Sequence, residues 1–229
     1  MFIGKIAKKF IRLVVIVALI SSCSGGGGGD GGSSSSDTSS EAAQGLLGAR
    51  VLNGAIDAAP VNLESSLDGL VQNSIIFAEP NGFNQISTGL HAINLTSGGS
   101  PIFTTAISNQ PGLKHSLIVH GDRSDFGLRV NLISEQAPVV PAGQSFVRVI
   151  HGVTGASQLS VNSVAIADFG DASSYIPITP GQNTILITRA VDQVLFDLVP
   201  LNAEEGKAYS IFVAGEFGFF LTSRVLVEN

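Results

Sequence analysis

The sequence predicts an all-β protein: two tandem antiparallel β-sandwich repeats, preceded by an export signal and a disordered linker. Three observations predict it. The chain repeats itself, since Arg50-Val51-Leu52-Asn53-Gly54 returns 98 residues later as Arg148-Val149-Ile150-His151-Gly152. Strand-like runs fill each copy: Leu128-Arg129-Val130-Asn131-Leu132 alternates with the period of a half-buried strand, and Ile185-Leu186-Ile187-Thr188 and Ser210-Ile211-Phe212-Val213 are β-branched and aromatic. Turn clusters separate the runs, among them Glu79-Pro80-Asn81-Gly82, Ser97-Gly98-Gly99-Ser100, Thr179-Pro180-Gly181-Gln182 and Glu204-Glu205-Gly206-Lys207. No apolar stripe of helical period follows Leu47. About six or seven strands per copy, with turns about every 8 to 12 residues, describe a sandwich.

Residues 1–22 carry Lys5, Lys8, Lys9 and Arg12 without an acid, followed by an unbroken apolar run from Leu13 to Ile20. A membrane span needs about 20 apolar residues, so this run is too short to cross and has the form of a cleaved export signal. Ile20-Ser21-Ser22-Cys23 holds the only cysteine of the chain. It resembles the bacterial lipobox, in which the cysteine thiol is diacylated, the signal is cut just before it, and the new amino group is commonly acylated too, often with palmitate. Two or more chains hold a protein stably at a bilayer where one holds it marginally. By the same resemblance, Ser24 in place of an aspartate favours the outer membrane, facing the periplasm or the cell exterior. A plain secretory signal with an incidental cysteine is the alternative.

Residues 23–45 are Gly- and Ser-rich and have nothing to bury, which makes them a disordered tether with a root-mean-square span of about 25 Å. A phosphate loop is excluded, because no lysine follows the glycines until Lys114. Loss of residues 1–22 removes four of twelve basic residues and none of eighteen acids, so the mature charge is 8 − 18 = −10. That balance disfavours nucleic acid and anionic head groups as partners. With Cys23 lipidated no thiol remains, and the fold must stand without disulfides.

Repeat 1 is expected over residues 46–136, a Pro-containing link over 137–143 and repeat 2 over 144–229. Phe77, Phe83 and Gly89 match Phe169, Tyr175 and Gly181; Pro101-Ile102-Phe103 matches Val194-Leu195-Phe196; and Leu117-Ile118-Val119-His120-Gly121 matches Ile211-Phe212-Val213-Ala214-Gly215. Pro138 and Pro141 stiffen the link. A single larger sandwich with shared sheets is the alternative arrangement.

These blocks resemble the DUF4397 family of bacterial envelope proteins, a family named for its unknown function. The family pattern opens with an Arg-Val strand and a histidine, here Arg148-Val149-Ile150-His151, with Asn53 at the histidine position of copy one. An Ala/Pro turn and strand follow at Ala58-Ala59-Pro60-Val61-Asn62-Leu63 and, more loosely, at Ala156-Ser157-Gln158-Leu159-Ser160-Val161. A later aromatic segment is Tyr175-Ile176-Pro177-Ile178-Thr179-Pro180-Gly181, echoed from Phe83 to Gly89. The resemblance spans nearly all of residues 47–229 and implies immunoglobulin-like or related sandwiches, often in tandem on exported proteins. It implies no activity, and Asn53 speaks against a catalytic or metal role for the histidine.

The chain offers little chemistry. His115 and His120, five apart on a strand, point to opposite faces and make no metal clip; with His91 and His151 they are expected in turns or on the surface. Asp122-Arg123-Ser124-Asp125-Phe126-Gly127 has the composition of a polar hairpin turn and lacks the ligand series of a calcium loop. No Gly-x-Ser-x-Gly elbow occurs. Asp57 with Glu64, and Glu204 with Glu205, are the nominal carboxylate pairs, expected at turns and edges. Catalytic residues, metal and cofactor are therefore all expected to be none. Glu216-Phe217-Gly218-Phe219-Phe220 is the candidate contact site, because a glycine-centred tip with three phenylalanines turns at least one ring outward; the alternative has Phe217, Phe219 and Phe220 filling space between the copies or capping a sandwich. The expected function is a lipid-anchored, exported, non-enzymatic binding or structural module. Its partner is the membrane through the anchor, and a polysaccharide or protein of the cell envelope. The alternatives are an accessory subunit of a periplasmic assembly and an envelope hydrolase.

Overall fold

The computed structural model describes residues 48–79, 81–122 and 127–229. The predicted signal segment, Cys23, the tether, and residues 123–126 of the charged cluster lie outside the described residues. The first repeat holds β1 (Gly48–Asn53), β2 (Val61–Ser65), β3 (Gly69–Ile75), β4 (Asn84–Gln85), β5 (Gly89–Ser97), β6 (Ser100–Asn109), β7 (Leu113–Asp122) and β8 (Gly127–Gln136). The second holds β9 (Ser145–Thr154), β10 (Gln158–Val161), β11 (Ala165–Asp168), β12 (Ile176–Ile178), β13 (Gly181–Arg189), β14 (Leu195–Ala203), β15 (Ala208–Glu216) and β16 (Phe220–Val227). The prediction of an all-β chain of tandem sandwiches holds. Among the described residues each repeat shows eight strands where six or seven were expected, because β4 and β12, of two and three residues, are too short to register as apolar runs.

Each sandwich pairs two four-stranded sheets, β4-β1-β7-β8 on β3-β2-β5-β6 in the first repeat and β12-β9-β15-β16 on β11-β10-β13-β14 in the second. The repeats keep separate sheets and do not merge into one larger sandwich. One pairing in each repeat departs from the antiparallel expectation: β1 runs parallel to β7, and β9 parallel to β15. Parallel neighbours need a long crossover, and the strands between them supply it by passing through the opposite sheet and back. Local alternation cannot reveal this, since it is the same for both directions.

The sheets that contain β1 and β9 are covered on both faces, which makes these strands almost wholly buried. Ala49 and Val51 face the first core with Leu63, Ile93, Leu95, Leu117 and Val119. Val147 and Val149 face the second with Leu159, Ile185, Ile187, Ile211 and Val213. On the opposite face, Leu52, Ile118, Ile150, Phe212 and Leu226 form a third apolar cluster, between the repeats. Gly54 and Gly152, equivalent positions, lie back to back there. A Cβ on Gly54 would stand 2.9 Å from the Gly152 carbonyl oxygen, and one on Gly152 would stand 2.8 Å from the Phe212 ring. The β4-β1-β7-β8 and β12-β9-β15-β16 sheets thus bury the same face against each other, as in an isologous dimer contained in one chain.

Candidate binding site at the junction of the repeats

The repeated arginines organise the polar part of this junction. Arg50 stacks on Phe83 at 4.1 Å and donates its Nε to the Ser116 hydroxyl at 2.9 Å. Arg148 does the same with Tyr175 at 4.4 Å and with Ser210 at 2.8 Å. The acids are exchanged. Arg50 Nη2 donates to Glu228 Oε1 of the second repeat at 2.6 Å, and Arg148 Nη1 donates to Glu135 Oε2 of the first at 2.6 Å. Glu135 and Glu228 are themselves equivalent, Glu135 opposite Lys114 near the end of β8 and Glu228 one residue beyond β16, where its N–H donates to the carbonyl of Ala208, the counterpart of Lys114.

Lys114 breaks the symmetry, because its counterpart is Ala208. Its Nζ donates to the Glu228 carbonyl oxygen, so three cations meet two carboxylates in a buried space. Burial pushes the Lys114 ammonium below its ordinary range, and Arg50 and Arg148 add to that against the pull of Glu228. Burial by itself raises the Glu228 carboxyl. The Arg50 charge, hydrogen bonds from Ser210 and Arg50, and the Arg148 charge outweigh it and hold Glu228 below the usual carboxylate range. Sequence reasoning missed this set. The available signal was the 93-residue offset of Glu135 and Glu228, close to the offsets of the aligned blocks.

The histidines correct another expectation. His91, His115, His120 and His151 are all buried, with 0 to 3% of their surface exposed, and none sits at the surface. The strand segments that carry them are covered, so polar residue type did not predict exposure. His151 accepts the Val153 N–H on Nδ1 at 3.1 Å, which leaves Nε2 to donate to the Ala156 carbonyl at 3.1 Å. Asn53 does the same work in the first repeat, taking the Ala55 N–H on Oδ1 at 3.2 Å and donating to the Ile75 carbonyl at 3.3 Å. The residue is thus a backbone cap. Burial pushes the His151 imidazole down to about 4.

His115 and His120 face opposite sides of β7. His115 meets Ser134 at 2.8 Å, whereas His120 meets Asn131 at 3.2 Å and packs edge-on against Phe169 at 4.4 Å. Among the described residues no three of His, Cys, Asp and Glu are grouped to hold a metal ion.

Ser65, His91 and Asp68 do come together. The Ser65 hydroxyl lies 2.7 Å from His91 Nδ1 and 2.9 Å from Asp68 Oδ2. His91 Nε2 is spent on the Ser87 carbonyl at 2.6 Å, and Ser65 is buried, so the set ties the Asp68 turn to β5 and offers no open nucleophile. Of the nominal carboxylate pairs, Glu204 and Glu205 occupy the turn between β14 and β15, where Glu205 accepts the Gly143 N–H at 2.6 Å.

The phenylalanine tip is the turn of the β15–β16 hairpin. Gly218, at φ +85°, takes the left-handed conformation that this turn requires. The three rings do different things. Phe217 lies flat on Phe196 at 5.3 Å and also carries the Arg189 guanidinium over its ring at 4.2 Å, capping the second sandwich. Phe220 meets Phe77 of the first repeat at 6.0 Å. Phe219 projects into solvent with 80% of its surface exposed.

Beside this hairpin, joined to it by the Phe217 N–H to Thr154 carbonyl bond of 2.9 Å, a cleft of about 280 Å³ opens between the repeats. Gly121, Gly127 and Arg129 of the first repeat line it with Thr154, Gly155 and Phe169 of the second. Compared with known protein families and curated proteins, the chain matches no family model and no curated protein sequence.

Proposed function

We propose that this chain is a lipid-anchored, exported binding module of a bacterial cell envelope, related to the DUF4397 proteins that its repeats resemble. The observation that carries this is Phe219. A large ring held out in solvent, on a hairpin pinned by the Phe217–Phe196–Arg189 stack, is suited to contact a partner with little ordering cost. The lipobox-like Cys23 and the Gly/Ser tether support the anchor and the reach, and the outer membrane is the favoured location. The partner is a polysaccharide or a protein of the envelope, and binding involves no chemical step.

The test is saturable binding of the full chain, in detergent, to isolated envelope and matrix fractions. Phe219→Ala is expected to weaken binding at least about tenfold without changing the melting temperature, as for an exposed aromatic anchor. Binding that never saturates, or that is indifferent to Phe219, rules the reading out.

A further inference from the structure

The back sheet of the second repeat, β11-β10-β13-β14, has an outer face unlike that of the first. Leu159, Ala167, Ile187 and Val199 point into the core, so the residues that alternate with them face outward. Ile166 lies opposite Ser160, Ser160 opposite Thr188, and Thr188 opposite Leu195, in one row across the four strands. Leu186 lies opposite Leu198 in the next row. Val164, Ile166, Leu195 and Leu198 are each more than half exposed. The Ser160 and Thr188 hydroxyls among them are 2.8 Å apart, spent on each other and on Gln193.

The first repeat shows that the fold does not require this face. Val61–Ile75 and Leu159–Ala167 are equivalent pairs, so Asn62 and Ser74 stand where Ser160 and Ile166 stand. The Ser74 N–H donates to Asn62 Oδ1 at 2.8 Å. Both sheets carry a bulge, after Leu95 and after Ile187, which makes Asn94–Thr104 the counterpart of Leu186–Leu198. Ser74, Asn94 and Thr104 of one copy are thus Ile166, Leu186 and Leu198 in the other. Exposed leucines of the first back sheet, Leu70 and Leu90, are set singly against Glu64 and Ser108. A leucine or isoleucine left in water adds nothing to folding, whereas under a cover it contributes about 1.5–3 kcal/mol. The two apolar rows hold no charged side chain; Asp168, bonded to Gln158 at 2.7 Å, lies beyond them at a corner. Without lysine or arginine the rows have nothing to hold anionic lipid head groups, and a neutral apolar face is complementary to itself.

We propose that this face docks a second copy of the chain, back sheet on back sheet, in a two-fold dimer. At a strand spacing of about 4.8 Å and a rise of about 3.3 Å per residue, the four strands span about 400 Å² in projection. Accessible area exceeds projected area, so two copies bury about 1,000 Å² in all, the lower bound of a specific interface. The dimer is accordingly weak, in the micromolar range. A two-fold axis through the middle of the face sends the two Asp168 carboxylates to opposite corners. Because the first repeat is polar at these positions, association closes at two copies and does not run on as a filament. The dimer uses neither the Phe219 tip nor the lipid anchor.

The test is sedimentation equilibrium of the full chain in density-matched detergent. The protein mass is expected to rise from one copy to two, with a dissociation constant of about 10 µM. Leu186→Asn with Leu198→Thr, which copies the first repeat, should weaken the dimer at least about tenfold. Ile166→Glu, at an exposed position, should do the same and leave the melting temperature of dilute protein unchanged. A bis-maleimide should join Thr184→Cys chains in pairs. It should leave Ala92→Cys chains, altered at the counterpart on the first back sheet, single, with the parent chain as the blank.

A chain that stays single up to about 100 µM, tenfold above the expected constant, overturns the proposal. So does a dimer indifferent to both the Leu186/Leu198 and the Ile166 variants. Pairing of Ala92→Cys chains as readily as of Thr184→Cys chains overturns it too, since two copies then share a micelle without this face. A Thr184→Cys thiol that maleimide cannot reach in the single chain also overturns it, because a segment of the same chain is then the cover.

Discussion

Removing Glu228 tests whether the junction is held by exchanged charges. Its side chain is about 2% exposed, 2.6 Å from Arg50 and 3.7 Å from Arg148, and Lys114 donates to its carbonyl oxygen. Glu228→Ala leaves Arg50 without its acid, buried beside two other cations. Removing one partner of a buried pair costs about 3–5 kcal/mol, most of it the penalty of the orphaned charge. Glu135 makes the equivalent contact with Arg148, but 27% of its side chain is exposed, so water can replace part of the lost interaction. Glu135→Ala should cost less, about 1–2 kcal/mol.

Urea unfolding of the full chain, followed by circular dichroism, measures both. A loss of 3–5 kcal/mol in a unit of this size lowers the melting temperature by about 6–20 °C. The Arg50→Ala, Glu228→Ala double-mutant cycle should return a coupling above about 1 kcal/mol. Equal, small losses from the two glutamates would show that solvent reaches both, and a larger loss from Glu135 would reverse the burial reasoning outright.

The remaining predictions concern pH and packing. His151 has a folded pKa of about 4, depressed by burial from an unfolded value near 6.5. The unfolded chain therefore binds the proton first as pH falls, and stability present above about pH 6.5 is lost down to about pH 4, by roughly 3 kcal/mol. His151→Asn, the residue found at the same place in repeat 1, should flatten the loss of stability over that window. A pH–stability curve identical to that of the parent chain would refute this. Glu228, held below the usual carboxylate range, adds a further loss as pH falls below its unfolded value of about 4.5 and through its folded one. Phe212→Ala should cost about 3–5 kcal/mol by opening a cavity in the inter-repeat cluster. Because that cluster is shared, unfolding should remain a single transition in calorimetry if the repeats depend on each other, and two separated transitions would show that they do not. Gly152→Ala, which brings a Cβ to 2.8 Å from the Phe212 ring, should destabilise by about 1–3 kcal/mol.

The all-β class and the doubled architecture are legible in the chain, because both rest on short stretches of neighbouring residues. Strand period shows in Leu128 to Leu132, turns in their Gly and Pro clusters, and the repeat in blocks such as Arg50 to Gly54 and Arg148 to Gly152. It also marked the phenylalanine tip, since Gly218 between aromatic residues makes a turn that cannot hide every ring. Only the packing of the copies sets the β4-β1-β7-β8 sheet against the β12-β9-β15-β16 sheet, and with that the rest of the junction. Arg50 and Glu228, 178 positions apart, are paired by that contact and not by any spacing in the chain. The parallel β1/β7 pairing and the burial of all four histidines are equally silent in sequence, because strand direction and cover from a second layer leave no local mark. The cleft is equally tertiary, since Gly121, Gly127 and Arg129 of one repeat line it together with Thr154, Gly155 and Phe169 of the other. Those residues meet only because the two halves are brought together around Gly54 and Gly152.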